Sequence, residues 1–136
     1  QTYIGTIQNR QHHHGGLALI IDYGDWRSNG DTLQAVKAHA YTDPLAAPGQ
    51  ADLTAHVDFE ALVAQGLPHH YTTQGAFLTN LGIAARTTRL AQSLSGDALE
   101  NHLAAYRRLT QGTEMGSLFK VLALTGPDAP KPPGFA

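Results

Sequence analysis

A chain of 136 residues with 42% apolar and 15% charged residues suits one globular core, as a single domain or part of one. Its formal net charge of −2 and pI near 6.5 provide no basic field to collect phosphates, so a protein or small molecule is the expected partner and nucleic acid is not. The absence of cysteine excludes a disulfide framework, a thiolate zinc site and a catalytic thiol, and fits a reducing compartment. The longest apolar stretch, Leu17 to Ile21, falls far short of the ~20 residues that span a bilayer, and no charged-then-apolar leader opens the chain. No membrane role is expected. Gln1 in place of Met, with no helix cap in Tyr3-Ile4-Gly5-Thr6-Ile7, suggests a start inside a longer protein or one set by removal of a tag.

In chain order, Tyr3, Ile4, Ile7 and His13 or His14 mark one face of a short helix that stops at Gly15-Gly16, where a helix-ending glycine is expected. Leu17-Ala18-Leu19-Ile20-Ile21 is apolar without alternation and runs into Asp22-Tyr23-Gly24, the pattern of a strand buried on both faces of a parallel α/β sheet. Asp25 to Pro48, with Ser28-Asn29-Gly30-Asp31 and scattered polar residues, reads as a long functional loop. Alternation from Ala51 to Phe59 predicts a short extended piece, after which Asp58 caps a helix from Phe59 to Gln65 closed by Gly66. Strand formers at His70 to Gln74 follow Pro68. Phe77, Leu78, Leu81, Ile83, Leu90 and Leu94 keep rough helical spacing, interrupted at Gly82, and a second amphipathic helix from Asp97 carries Leu99, Leu103, Tyr106 and Leu109. A turn at Met115-Gly116 introduces a last strand, Phe119 to Leu124. Residues 1–126 form the folded portion and 127–136, with Pro127, Pro130, Pro132 and Pro133, an extended Pro-rich tail.

Few groupings can carry chemistry. His12, His13 and His14 point about 100° apart on a helix and cannot share one ion; imidazoles at a helix C-terminus suit its dipole instead. His56 and Asp58 share a face of a strand, and Asp52 and His39 could join them around a metal, but helix capping accounts for Asp58 more simply, and no metal site is expected. The best site signal is Asp22-Tyr23-Gly24, since open α/β sheets bind ligands beyond the carboxyl ends of their strands. There a carboxylate can hold a guanidinium by paired, charge-assisted hydrogen bonds, or can simply satisfy loop amides. No glycine-rich phosphate loop, nucleophile elbow or Walker pattern follows any strand.

Five blocks occur in order: Gly16 to Gly24, Gly30 to Gln34, Pro48 to Phe59, Thr73 to Leu78 with Leu81-Gly82-Ile83, and Met115 to Ala123. Together they resemble the MidA-type class I S-adenosylmethionine-dependent methyltransferases. The resemblance covers most of Gly15 to Leu124. It implies the C-terminal part of a Rossmann-like α/β methyltransferase fold, with Leu17 to Ile21 as the fifth strand and two later strands as the antiparallel end. The cofactor-binding half would lie before residue 1, so this chain alone would be inactive, and the Ala61 to His70 segment is shorter than in relatives. The implied activity is methylation of a protein arginine during respiratory complex I assembly. The implied cofactor is S-adenosylmethionine, and the setting the bacterial cytoplasm or, for eukaryotic relatives, the mitochondrial matrix.

Asp22 and Asp58 are the implied catalytic carboxylates, and Tyr23 and Gly24 border the cofactor. Thr32, Leu33, His39, Thr54, His56 and Gln74 shape the substrate side. The implied partner is a protein substrate, a respiratory complex subunit. Two further associations are expected of an open sheet edge: a homo-oligomer, or pairing with a separate N-terminal half. A truncated, non-catalytic module that binds protein through that edge is the alternative function.

Overall fold

A computed structural model of the chain describes residues 3–63 and 66–135. Two sheets organise it. One has four strands in the order β5-β1-β7-β6, and the other three in the order β3-β2-β4.

Helix α1 (Tyr3–His14) ends as expected, with the Gly15 N–H donating to the Gln11 carbonyl at 2.8 Å and both following glycines at positive φ. Its buried face is Ile4, Ile7 and Gln11 rather than Tyr3 and the histidines: Tyr3 is 92% exposed, and His12 to His14 are all exposed. The spacing from Ile4 to Ile7 to Gln11 is itself helical. A glutamine was invisible to a pattern sought among apolar residues, yet Gln11 Nε2 reaches the Leu124 carbonyl at 2.6 Å and fastens the helix to the sheet.

Strand β1 (Leu17–Asp25) pairs antiparallel with β7 (Phe119–Thr125), from Leu17 opposite Thr125 to Tyr23 opposite Phe119. Its parallel neighbour β5 (Val57–Asp58) meets it only at Gly24 and Asp25. The expectation that β1 is buried on both faces is corrected. Ala18 and Ile20 pack on Phe59, Val63, Leu122 and Leu124, while Leu17, Leu19 and Ile21 on the other face are 47%, 43% and 49% exposed. The reason is coverage: on that face Phe77 and Phe135 lie over Val121 and Ala123 of β7, not over β1. The strand buried on both faces is β7, whose Val121 to Leu124 are at most 1% exposed. Edge strand β6 (His69–Thr73) completes the sheet by a second antiparallel ladder with β7.

The segment expected as a loop contains a hairpin of β2 (Gln34–Lys37) and β3 (Ala40–Thr42), with β4 (Asp52–Thr54) pairing on the other side of β2. Its two-residue turn holds Ala38 at φ 49° and His39 at φ 63°. Such primed turns normally announce themselves through Asn-Gly or Asp-Gly, so Ala-His gave no signal.

Asp58 caps α2 (Phe59–Val63) as expected, its Oδ1 accepting from the Ala61 N–H at 3.1 Å. The expected end of that helix, Ala64 and Gln65, lies outside the described residues. Thr73 caps α3 (Gln74–Asn80), and Gly82, at φ 82°, separates it from α4 (Ile83–Ala91), the interruption expected there. Helix α5 (Gly96–Thr110) packs on α4, with His102 Nε2 3.1 Å from the Thr87 carbonyl oxygen, and α6 (Met115–Leu118) is the turn before β7.

The Pro-rich tail returns to the core instead of extending away. Phe135 is 7% exposed and its ring lies 5.2 Å from that of Phe77, while Asn80 Nδ2 donates to the Gly134 carbonyl at 3.0 Å. A Cβ on Gly134 would overlap the Phe77 ring, so this return depends on glycine.

Candidate active site at the carboxyl end of β1

The end of β1 is built around a close backbone contact. Gly24 is buried opposite Val57, and a Cβ there would overlap the Val57 carbonyl oxygen and lie 2.7 Å from its nitrogen. The absence of a side chain lets β5 approach and delivers His56 beside Tyr23. The Tyr23 ring meets the rings of His56 at 5.8 Å and Phe119 at 5.6 Å, both edge to face, an arrangement aromatic quadrupoles favour. The His56 N–H donates to Thr32 Oγ1 at 3.1 Å. Tyr23, Gly24, Thr32 and His56, widely separated in sequence, therefore come together.

The remaining candidates divide. Half-buried Asp22 accepts from the Tyr23 N–H through Oδ1 at 2.8 Å, and strand alternation places it on the opposite face from Tyr23. Asp58, opposite Asp25 in the β1–β5 pairing, commits Oδ1 to its helix cap. Leu33 is 45% exposed with its N–H on Asp31 Oδ1 and immediately precedes β2, and Thr54 sits opposite Gln34 in the three-stranded sheet. His39 lies at the exposed hairpin turn. Gln74 is buried, and its Nε2 donates to the Leu109 carbonyl at 3.0 Å, holding the start of α3 to the last turn of α5. Among the described residues, neither His39 nor Gln74 has a hydrogen bond or ring contact with the Tyr23 cluster. Among the described residues no three His, Asp or Glu side chains converge as a metal-binding group.

Several residues with a clear structural role carried little sequence signal. Lys120 Nζ donates to the Gly24 carbonyl at 2.8 Å and the Ser117 carbonyl at 2.7 Å, and lies 4.0 Å from Asp25 Oδ1. With its side chain only 12% exposed, it ties the end of β1 to α6. A cation within the apolar run Phe119 to Leu124 was the available clue.

On the other side of the strand end, Arg27 binds Glu60 through two hydrogen bonds of 2.6 and 2.8 Å, and Trp26 Nε1 donates to Glu60 at 3.2 Å. The Arg27 hydrogen bond holds the Glu60 carboxyl below its ordinary value and raises the guanidinium in turn. Trp26 also stacks on His69 and meets Tyr71 edge-on. Burial, helped by the nearby Asp25 charge, pushes the Tyr71 phenol up to about 12. A cleft of about 720 Å³ runs along β6 between Trp26 and Tyr71 on one side and Asn80 and Phe135 on the other. None of the sequence-derived candidates lines it.

Comparison with known proteins bears on this geometry. A family model described as "Putative S-adenosyl-L-methionine-dependent methyltransferase" matches residues 1–76. The chain is 37% identical over 127 residues to a Drosophila melanogaster protein named protein arginine methyltransferase NDUFAF7 homolog, mitochondrial, covering 89% of this chain and 29% of that protein. It is 40% identical over 115 residues to the Rattus norvegicus protein arginine methyltransferase NDUFAF7, covering 81% and 26% respectively. The chain thus spans under a third of the length of these relatives.

Two crystal structures from Burkholderia thailandensis, each 30% identical, superpose with TM-scores of 0.81 and 0.76 and cover 98% of this chain and 39% and 38% of theirs; the second is bound to S-adenosyl-homocysteine. The sheet described above is accordingly the C-terminal part of a Rossmann-like methyltransferase fold, with β1 as its fifth strand. The family match, the named relatives and the shared fold agree with the ordered blocks of the sequence, and the chain belongs to the MidA-type family of S-adenosyl-L-methionine-dependent methyltransferases.

Proposed function

We propose that this chain is the substrate-facing part of an S-adenosylmethionine-dependent protein arginine methyltransferase whose transfer site lies beyond the carboxyl end of β1. The observation that carries the reading is the convergence of Tyr23, Thr32 and His56 where Gly24 lets β5 close on β1. Tyr23 and Gly24 are the residues that would border the cofactor, which supplies a methyl group made electrophilic by a sulfonium. The rings of Tyr23 and Phe119 and the glycine backbone fit one wall of such a site. The chain's own part is orientation.

A guanidinium nitrogen is a poor nucleophile while its lone pair is delocalised, so the side chain must be held with one nitrogen aimed at the methyl and its charge balanced. Asp22 is the first carboxylate for that task, because only Oδ1 is engaged, by the adjacent amide, and the other oxygen can accept a guanidinium N–H. Asp58, with one oxygen in a helix cap, is the second. Thr32 and His56 form the near wall of the substrate side, with Leu33 and Thr54 beyond them. By the MidA-type resemblance the substrate is an arginine of a respiratory complex I subunit, met in the cytoplasm of a bacterium or the matrix of a mitochondrion.

The test is a methyl-transfer assay in a full-length arginine methyltransferase relative carrying Asp22→Asn. The expected result is a fall in kcat of at least ~100-fold with S-adenosyl-homocysteine affinity unchanged, since the carboxylate serves the substrate. Unchanged kcat and KM would remove Asp22 from the mechanism.

A further inference from the structure

The three-stranded sheet and the segments that flank it carry four large exposed apolar residues, Tyr41 and Leu53 within strands, Leu33 just before β2 and Leu45 just after β3. Leu33 is 45% exposed, Tyr41 79%, Leu45 79% and Leu53 58%, while Ala35 alone among the residues of β2, β3 and β4 is buried. Ala35 lies opposite Leu53 in the ladder, so alternation puts Leu33 and Leu53 on one face with Tyr41 on the other. A sheet of three short strands with so little burial is marginal by itself, and large apolar side chains exposed together, as Leu33 and Leu53 are, mark a contact surface.

Charge distinguishes its occupant. Seven of the eleven Asp and Glu residues lie between Asp22 and Glu60, against two of the nine Lys and Arg residues, Arg27 and Lys37. Arg27 is engaged by Glu60, and Lys37 Nζ turns to Gln50 Oε1 at 3.2 Å. Among the described residues Asp31, Asp43 and Asp52, which border the sheet, have no cationic partner. A second copy would bring the same acidic rim against this one and be repelled; a segment with cations among apolar side chains would be attracted. The surface is also continuous with the proposed transfer site, because Thr32, one residue before Leu33, holds the His56 N–H beside Tyr23.

We infer that the β2-β3-β4 sheet is the docking platform for the protein substrate, an extended segment in which basic residues alternate with apolar ones. This rests on the arginine methyltransferase reading and adds to it where the substrate is gripped outside the transfer site. Leu33 and Leu53 receive its apolar side chains, and Asp31, Asp43 and Asp52 receive its cations.

The test uses fluorescence anisotropy with a short labelled peptide of alternating leucine and arginine, and its leucine-glutamate counterpart. Leu33→Ser with Leu53→Ser is expected to weaken binding of the arginine peptide at least ~tenfold. Asp31→Asn with Asp52→Asn is expected to flatten its salt dependence, and Asp97→Asn with Glu100→Gln on α5 to leave it unchanged. All four positions of the first two variants are exposed, so circular dichroism should show the native fold. Equal binding of the glutamate peptide, or no effect of either sheet variant, would overturn the proposal. So would a dimer in sedimentation that the serine pair dissolves, because the occupant would then be a second copy.

The two readings fail separately. If a full-length relative with the serine pair methylates arginine with unchanged KM, docking is wrong and the activity stands. If the peptide binds as expected and its arginine is never methylated, docking stands and the activity is wrong.

Discussion

The two sheets of this chain are held together by different physics. In the four-stranded sheet, β7 lies between two clusters, Phe59, Val63, Leu122 and Leu124 on one side and Phe77, Val121, Ala123 and Phe135 on the other, and burial of those side chains fixes the register. In the three-stranded sheet the same backbone pairing is present with Ala35 as its single buried residue, and its turn holds two non-glycine residues at positive φ. The first region is a scaffold. The second is a surface with exposed apolar groups, and the strand end at Gly24 joins the two.

Substitutions should separate them. Leu122→Ala, at a fully buried site, is expected to cost about 4 kcal/mol in denaturant unfolding, whereas Thr42→Ala on β3 should change stability by less than about 0.5 kcal/mol. A comparable loss at both sites would break the contrast.

Gly24→Ala should cost about 2–3 kcal/mol, because the new Cβ overlaps Val57 backbone that has no rotamer to change. Near-ultraviolet circular dichroism should report loss of the Tyr23 and His56 packing along with it.

Replacing Ala38-His39 by Asn-Gly should raise the melting midpoint, corresponding to about 1 kcal/mol, since both positions then suit the left-handed conformation. A decrease would mean that the alanine and histidine side chains make contacts worth more than the turn conformation costs.

The smallest effect concerns Glu60. Its folded-state pKa lies below the ordinary 4.5, so the contribution of its ion pair is present above the unfolded value and is lost as pH falls through the lower folded value. Trp26 is the chain's single tryptophan and donates to Glu60, so its fluorescence should change with a midpoint below 4.5, and Glu60→Gln should abolish that change.

What could be read from the sequence follows the same division. Where burial or a cap dictates structure, residue type reveals it: the stop at Gly15-Gly16, the cap at Asp58 and the interruption at Gly82 are local events with local causes. The run Leu17 to Ile21 correctly gave a strand but not its exposure, because coverage of one face depends on where Phe77 and Phe135 pack. The return of Phe135 to the core was illegible for the same reason: its partner Phe77 is remote in sequence and its chain is rich in proline. The hairpin stayed hidden because Ala38 and His39 adopt a conformation their residue types do not favour.

The cluster of Tyr23, Thr32 and His56 at the strand end was legible in part, Tyr23 from the rule about strand ends and Thr32 and His56 from the ordered blocks, whereas Asp22 faces away from it. Lys120, which ties that end to α6 through two carbonyls, could not be inferred from spacing, since a lysine in a strand is ordinarily a solvated one.

Native-state hydrogen exchange, read residue by residue, tests the central contrast most directly. The amides of Val121 to Leu124 should exchange only through global unfolding. Those of Ala35 to Lys37 and Ala40 to Thr42 should exchange through local opening, orders of magnitude faster, and slow when the leucine-arginine peptide is added. Equal protection of the two sheets in the free chain would contradict the account, because the three-stranded sheet would then be an integral part of the core and not a surface held ready for a substrate.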